Sequence, residues 1–132
     1  MVTTYYLNLV AGNLLGSKTT PGIPSTYWIG LSTSAPTAAG AGVTEPTSGG
    51  YARVAAPGFS APNGGVVKNS QEIPFPEATG SWGSLTHVVV YDAGTGGNLL
   101  MYCALPVAKT VNSGDQARFA ANSLQFTVQA AT

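Results

Sequence analysis

The strongest strand pattern in the chain lies in its second half. Residues 87–91 are β-branched or aromatic, residues 92–98 are dense in glycine, and residues 99–105 are apolar at both alternating positions. Two such runs around a glycine-rich segment predict a β-hairpin with a loop longer than two residues. Because apolar side chains occur on both faces, we expect the two strands to be buried on both sides.

Shorter strand patterns surround this hairpin at residues 27–32, 51–55, 66–68, 71–75, 116–121 and 124–129. Together with the hairpin they give about eight strands, separated by turn signals at the spacing typical of an all-β sandwich or barrel. The sequence shows no internal repeat, heptad run or alternation of strands with helices. We therefore predict an all-β fold, a single jelly-roll-like or immunoglobulin-like β-sandwich.

The start of the chain is the only helix candidate. Apolar residues recur there at intervals of three and four residues and form one stripe, made of Leu7, Val10, Ala11, Leu14 and Leu15. Thr3 or Thr4 can cap the N-terminus, and Gly16 stands where a left-handed residue would end the helix. Two interpretations remain: the stripe covers the open end of its own sandwich, which we favour, or it docks on a neighbouring subunit.

Two features indicate contact surfaces. Residues 33–50 form an Ala/Gly/Thr/Pro loop that exceeds the roughly 12–15 residues usual for unstructured loops in compact domains. The loop is either a contact surface or a low-complexity connection with no role in contacts. Trp28 and Trp82 are large side chains of the kind enriched at interfaces. We expect one of the two tryptophans in the core and the other at an interface, and the sequence does not indicate which is which.

The composition places the chain in the class of small, weakly charged domains. It has 132 residues, which suits one domain, with a helix at residues 1–16 and the sandwich at 26–129. Charged residues make up 8%, and five basic residues balance five acidic ones. This balance argues against a nucleic-acid or anionic-lipid partner. A neutral surface favours association, so we expect a homo-oligomer, although a small neutral monomer remains an alternative.

The same sequence offers little for chemistry or for membrane insertion. His87 is the only histidine, and Asp92 lies past the end of its strand, so a catalytic triad is not expected. The acidic residues are scattered singly, and Cys103 has no partner for a disulfide or a zinc site. We predict no catalytic, cofactor-binding or metal-binding residues and no enzyme. Neither a signal peptide nor a membrane span is predicted, so the chain is expected to be made in a cytoplasm.

Four blocks of sequence resemble a family of small virion structural proteins of tailed bacteriophages. They are YWIGLSTSAPT (27–37), VTEPTSGGYARV (43–54), IPFPEATGSWGSLTHVVVYDAGTGGNLL (73–100) and KTVNSGDQARFAANSLQFTV (109–128). The resemblance covers almost the whole chain, and members are labelled tail fibre, minor tail or capsid decoration proteins. It implies a virion protein assembled in the host cytoplasm, with no catalytic motif to carry over.

The resemblance leaves several functions open. The favoured interpretation is a capsid decoration (cement) protein that binds and stabilises the lattice of the major capsid protein. The first alternative is a tail fibre, collar or baseplate component with an adhesion role, whose partners would be other tail proteins. The second is a lectin-like module that stacks its aromatic side chains on sugar rings. A hydrolase has no support in the residues.

Overall fold

The computed structural model describes residues 2–15 and 26–127 of the chain. These residues form one helix and eight strands, as the apolar pattern predicts. The elements are α1 (Thr4–Leu15), β1 (Trp28–Ser32), β2 (Val54–Ala55), β3 (Val66–Lys68), β4 (Ile73–Glu77), β5 (Gly83–Tyr91), β6 (Leu99–Val111), β7 (Gln116–Phe119) and β8 (Gln125–Thr127). The positions predicted at residues 16 and 128–129 lie outside the described residues.

The largest sheet is antiparallel and has the strand order β2-β1-β5-β6. Two antiparallel ribbons, β3-β8 and β4-β7, accompany it. The main core contains residues of the sheet, such as Ile29 and Val88, together with residues of the ribbons, such as Phe75 and Phe126. The all-β prediction is confirmed. The arrangement is sandwich-like, with a short helix at the start of the chain.

The predicted central hairpin is present, and its strands are longer than the sequence pattern indicated. β5 begins at Gly83, and β6 continues to Val111. Thr110 and Val111 pair with Ser84 and Gly83, so β6 extends as far as the turn that follows it. The turn itself is confined to residues 112–115, where the Asp115 amide donates to the Asn112 carbonyl at 3.0 Å.

Burial on both faces holds for β5 but not for all of β6. Val88 and Val90 belong to the main core, and Val89 and Tyr91 form a second cluster with Leu99 on the opposite face. β6 is buried only at Leu99, Leu100 and Val111, and most residues between positions 104 and 110 are exposed. The reason is topological, because β6 is the last strand of its sheet and lacks a neighbouring strand there among the described residues.

The helix lies against the start of β6. Thr3 is fully buried and caps α1, since its Oγ1 accepts from the Tyr6 amide at 3.3 Å. The same hydroxyl donates to the Leu99 carbonyl at 2.6 Å, and the Thr3 amide donates to the Leu100 carbonyl at 2.9 Å. Thr3 therefore both starts the helix and ties it to the edge of the sheet.

The favoured interpretation of the helix stripe is wrong. Leu9 is the only buried residue in α1, and it lies about 200° around the helix from Leu7 at 100° per residue. Leu7, Leu14 and Leu15 are 54%, 79% and 83% exposed. The helix packs on its own sheet through the face opposite the stripe, because Thr3 and the edge of β6 set its rotation.

Candidate interaction surfaces

The long loop between β1 and β2 is ordered by its own hydrogen bonds. Ser32, fully buried at the end of β1, accepts through Oγ from the amides of Ser34 (3.2 Å) and Thr44 (3.0 Å). The Thr33 amide donates to the Thr44 carbonyl at 2.9 Å. The Thr37 amide donates to the Ala41 carbonyl, also at 2.9 Å, and closes a tighter turn inside the loop. The loop has a defined shape, which a contact surface requires, and its role in contact stays a prediction.

An ion pair anchors the far end of this loop. Glu45 accepts from Arg53 at both carboxylate oxygens, at 3.0 Å from Nε and 2.8 Å from Nη2. The Arg53 side chain is 7% exposed and that of Glu45 is 21% exposed. Tyr51 donates its hydroxyl proton to Glu45 Oε1 at 2.6 Å and accepts from the Leu31 amide at 2.9 Å. The loop is thereby held to β1.

Arg53 also holds the loop of the central hairpin. Its Nη1 donates to the carbonyls of Ala93 and Gly96, both at 2.7 Å. Its guanidinium carbon lies 3.6 Å from the centre of the Tyr91 ring, a cation–π contact. One side chain thus joins residues 33–50 to residues 92–98, and we call these two loops together the loop face.

The ionisation of this cluster follows from its contacts. Burial raises the pKa of Glu45, but hydrogen bonds from Arg53 and Tyr51 and the positive charge of Arg53 outweigh it and leave the pKa below its ordinary value. Burial and the hydrogen bond to Glu45 raise the pKa of Tyr51 far above its ordinary value. Glu45 therefore stays ionised and Tyr51 stays protonated around neutral pH. With their oxygens and protons engaged, these groups act as a clamp.

The sequence did not single out this clamp. Glu45 and Arg53 are two of only ten charged residues and lie eight positions apart, Glu45 in the long loop and Arg53 within the strand pattern at residues 51–55. That proximity of opposite charges in a weakly charged chain was the available signal. It could not show that Arg53 reaches a hairpin loop 40 residues further along.

The isolated residues considered for chemistry remain apart from one another. His87 is half-buried in β5, and its Nδ1 lies 2.8 Å from the Thr86 hydroxyl. Asp92 braces the hairpin loop instead, accepting from the Asn98 amide at 2.7 Å. Cys103 is half-buried, and burial raises the pKa of its thiol. The glycine-rich run at residues 94–97 belongs to the hairpin loop, as predicted.

The two tryptophans occupy different environments. Trp82 is 3% exposed, lies in the main core and donates through Nε1 to the Gly49 carbonyl at 2.8 Å. Tyr51 meets its ring edge to face, with centroids 5.3 Å apart. Trp28 is half-buried and packs against Gly94 of the loop face. Trp82 is the core tryptophan, and an interface role for Trp28 stays a prediction.

Residues 2–15 and 26–127 contain neither a candidate metal site nor a membrane-spanning helix. Over these ranges, no three His, Cys, Asp or Glu side chains come together in a group that could hold a metal ion. The helix in these ranges is too short and not apolar enough to cross a membrane.

Comparison with known proteins identifies the family. No curated protein matches the chain. A family model described as Podophage GP4 fiber I protein gp80 matches residues 2–127, which span the helix, all eight described strands and the loop face. The match supports the resemblance to virion structural proteins of tailed phages, and its description names a fibre protein. The chain therefore belongs to the podophage GP4 fiber I protein gp80 family of phage virion structural proteins.

Proposed function

We propose that the protein is a component of the tail fibre, held in the virion by other tail proteins. The observation that carries this proposal is the family match over residues 2–127, whose description names a fibre protein. It favours the tail fibre, our first alternative, over capsid decoration. The proposed role is structural and not enzymatic. It is supported by the side chains of Glu45, Tyr51 and Arg53, which form hydrogen bonds within the chain and hold its loops in place.

The loop face is the surface we assign to contacts with the host or with neighbouring tail proteins. Loops held on a rigid scaffold are common binding surfaces, because the scaffold limits the ordering entropy lost on binding. Arg53 supplies that rigidity by joining both loops. The exposed residues of the loop face, among them Thr37, Thr47, Thr95 and Asn98, are small and uncharged.

A lectin-like role is less well supported. Stacking on a sugar ring requires an exposed aromatic face. Trp82 is 3% exposed, and Tyr51 is half-buried between Trp82 and Glu45. Trp28 rests against Gly94. The strongest aromatic candidates are therefore engaged in packing within the chain.

The test is the number of copies in the virion and their location. Quantitative mass spectrometry of purified particles would compare this protein with the major capsid protein, and antibody-labelled electron microscopy would locate it. A small number of copies, with label on the tail, is the expected result. A ratio near one, or a simple fraction of it, with label over the capsid would replace the fibre proposal by capsid decoration.

A second experiment addresses the host contact. Purified protein in excess should slow adsorption of phage to host cells if the loop face binds the cell surface. A Thr47→Asp, Thr95→Asp variant should compete less well, while an Ala61→Asp variant, exposed outside the loop face, should compete like the wild type. Equal competition by all three proteins, or by none, would contradict host contact through this face.

A further inference from the structure

The exposed stripe of α1 is an apolar surface without a partner among residues 2–15 and 26–127. Leu7, Leu14 and Leu15 project away from the sheet, and α1 contains no charged residue. Three leucines on one helical face match the apolar anchors by which helices bind in grooves. Burying these leucines removes apolar surface from water, so this face favours association.

A groove without an occupant lies elsewhere on the molecule. It has a volume of about 840 Å³ and separates the outer half of β6 from β7 and β8. Its apolar floor includes the buried side chains Leu31, Leu85, Val111 and Leu124, and Val107 at its rim is 67% exposed. Among the described strands β6 ends its sheet and β7 pairs only with β4, so no strand fills the space between them.

These two surfaces do not meet within one chain. Thr3 fixes the start of α1 at Leu99 and Leu100, and no residue of α1 lines the groove. The groove lies further along the same strand, from Cys103 to Val111. The apolar helix face and the apolar groove have no partner among the described residues, and both become buried when the helix of one copy enters the groove of another.

Charge complementarity sets the direction of this contact. The last turn of α1 carries no basic residue, so the partial negative charge at the C-terminal end of the helix has no cation from that turn. Lys109 and Arg118 line the groove, and Arg118 also donates to Gln116 Oε1 at 2.7 Å and lies 3.8 Å from Glu72. Asp115, which lines the groove as well, accepts from the Asn112 amide at 2.9 Å. The chain has no net charge, so two copies do not repel each other.

We propose that α1 of one copy docks, through Leu7, Leu14 and Leu15, in the groove between β6 and β7 of a second copy, with its last turn towards Lys109 and Arg118. The groove is lined by 18 residues, close to the roughly 20–30 residues per side of a stable interface. The contact joins two different surfaces, so it propagates from copy to copy and closes into a ring or extends into a filament. It does not depend on the location of the protein in the virion.

The test measures the mass of the full-length protein by light scattering and sedimentation, from low micromolar to near-millimolar concentration. The wild type is expected to form species larger than a dimer. A helix variant, Leu14→Asp with Leu15→Asp, and a groove variant, Val107→Asp with Thr110→Asp, should each be monomeric. All four positions are exposed, so each variant should remain folded and keep the far-UV circular dichroism spectrum of the wild type.

A mixture of the two variants separates this proposal from other modes of association. The helix variant keeps an intact groove and the groove variant keeps an intact helix, so an equimolar mixture should form a heterodimer and nothing larger. The control variant, Ala61→Asp with Thr95→Asp, carries the same added charge at exposed positions outside both surfaces and should keep the wild-type mass. A monomeric wild type, an oligomeric helix or groove variant, or a mixture without heterodimer would overturn the proposal.

Discussion

Glu45 and Arg53 form a two-point ion pair, with 2.8 Å between Oε2 and Nη2 and 3.0 Å between Oε1 and Nε. The pair lies where the long loop after β1 returns to the sheet, and Arg53 continues from it to the hairpin loop. A small domain with ten charged residues thus uses two of them to fix the shape of its loop face.

Replacing Arg53 by alanine should destabilise the fold and loosen the hairpin loop. The change leaves the Glu45 carboxylate and the carbonyls of Ala93 and Gly96 without their donor. We expect a loss of about 2 kcal/mol in the free energy of unfolding, measured by chemical denaturation. Hydrogen exchange at residues 93–97 should become faster.

The matched control is Arg118→Ala. Arg118 is exposed and lies 3.8 Å from Glu72, so its removal should change the free energy of unfolding by less than about 0.5 kcal/mol. Equal losses for Arg53→Ala and Arg118→Ala would show that the clamp adds nothing beyond an ordinary surface pair.

The clamp should weaken in acid. Burial raises the pKa of Glu45, but the hydrogen bonds and charge around it lower the pKa more, to a net value below the ordinary 4.5. A carboxyl with a lowered pKa stabilises the folded state above pH 4.5 and loses that contribution as the pH falls through its folded pKa. The stability difference between wild type and Glu45→Gln should therefore be constant near neutral pH and shrink below 4.5. A difference independent of pH would contradict this assignment.

Gly30→Ala should destabilise the fold through the same clamp. A Cβ at this position would lie 2.7 Å from Glu45 Oε1, 2.8 Å from the Tyr51 hydroxyl and 3.0 Å from Val89. Neither oxygen can move without breaking its hydrogen bonds, so we expect a loss of about 1–3 kcal/mol. The control is Gly58→Ala, whose nearest neighbour, the Ser70 hydroxyl, would be at 3.6 Å. Thermal melts of the two variants that coincide would refute the steric argument.

Asn69→Asp should destabilise the turn before β8. Asn69 is fully buried, and its Nδ2 donates to the carbonyls of Gln71 (2.8 Å) and Ala120 (2.9 Å), while its Oδ1 accepts from the Leu124 amide (2.8 Å). An aspartate keeps the oxygen that accepts from the Leu124 amide, but it replaces the donating Nδ2 by a second oxygen, which repels the carbonyl oxygens of Gln71 and Ala120. We expect a loss of roughly 2–3 kcal/mol in the free energy of unfolding, measured by denaturation, since the fully buried side chain at position 69 loses two hydrogen bonds and gains a negative charge.

The matched control for this change is Asn63→Asp, made at an exposed turn position, which should leave the free energy of unfolding nearly unchanged. If the substitution at position 69 were as mild as the one at position 63, the buried hydrogen bonds would not stabilise this turn.

The central hairpin shows how far strand patterns carry. The β-branched run at residues 87–91 and the glycine-rich loop after it predicted β5, β6 and their pairing, because a two-residue alternation and turn chemistry are local properties. The same local signals did not reveal that β6 runs on to Val111 or that residues 104–110 are exposed. Those facts depend on the absence of a further strand beside β6 in the described sheet.

The sequence by itself determined the all-β class, the short helix with its cap at Thr3 or Thr4, the hairpin and the small, neutral character of the surface, because each follows from periodicity, turn residues or composition. The tertiary structure alone decided which face of α1 is buried, which tryptophan enters the core and where Arg53 binds. These outcomes depend on contacts between residues far apart in the chain, such as Thr3 with Leu99 and Arg53 with Ala93. Such contacts arise only when the strand order places distant segments side by side, and no local pattern encodes that order.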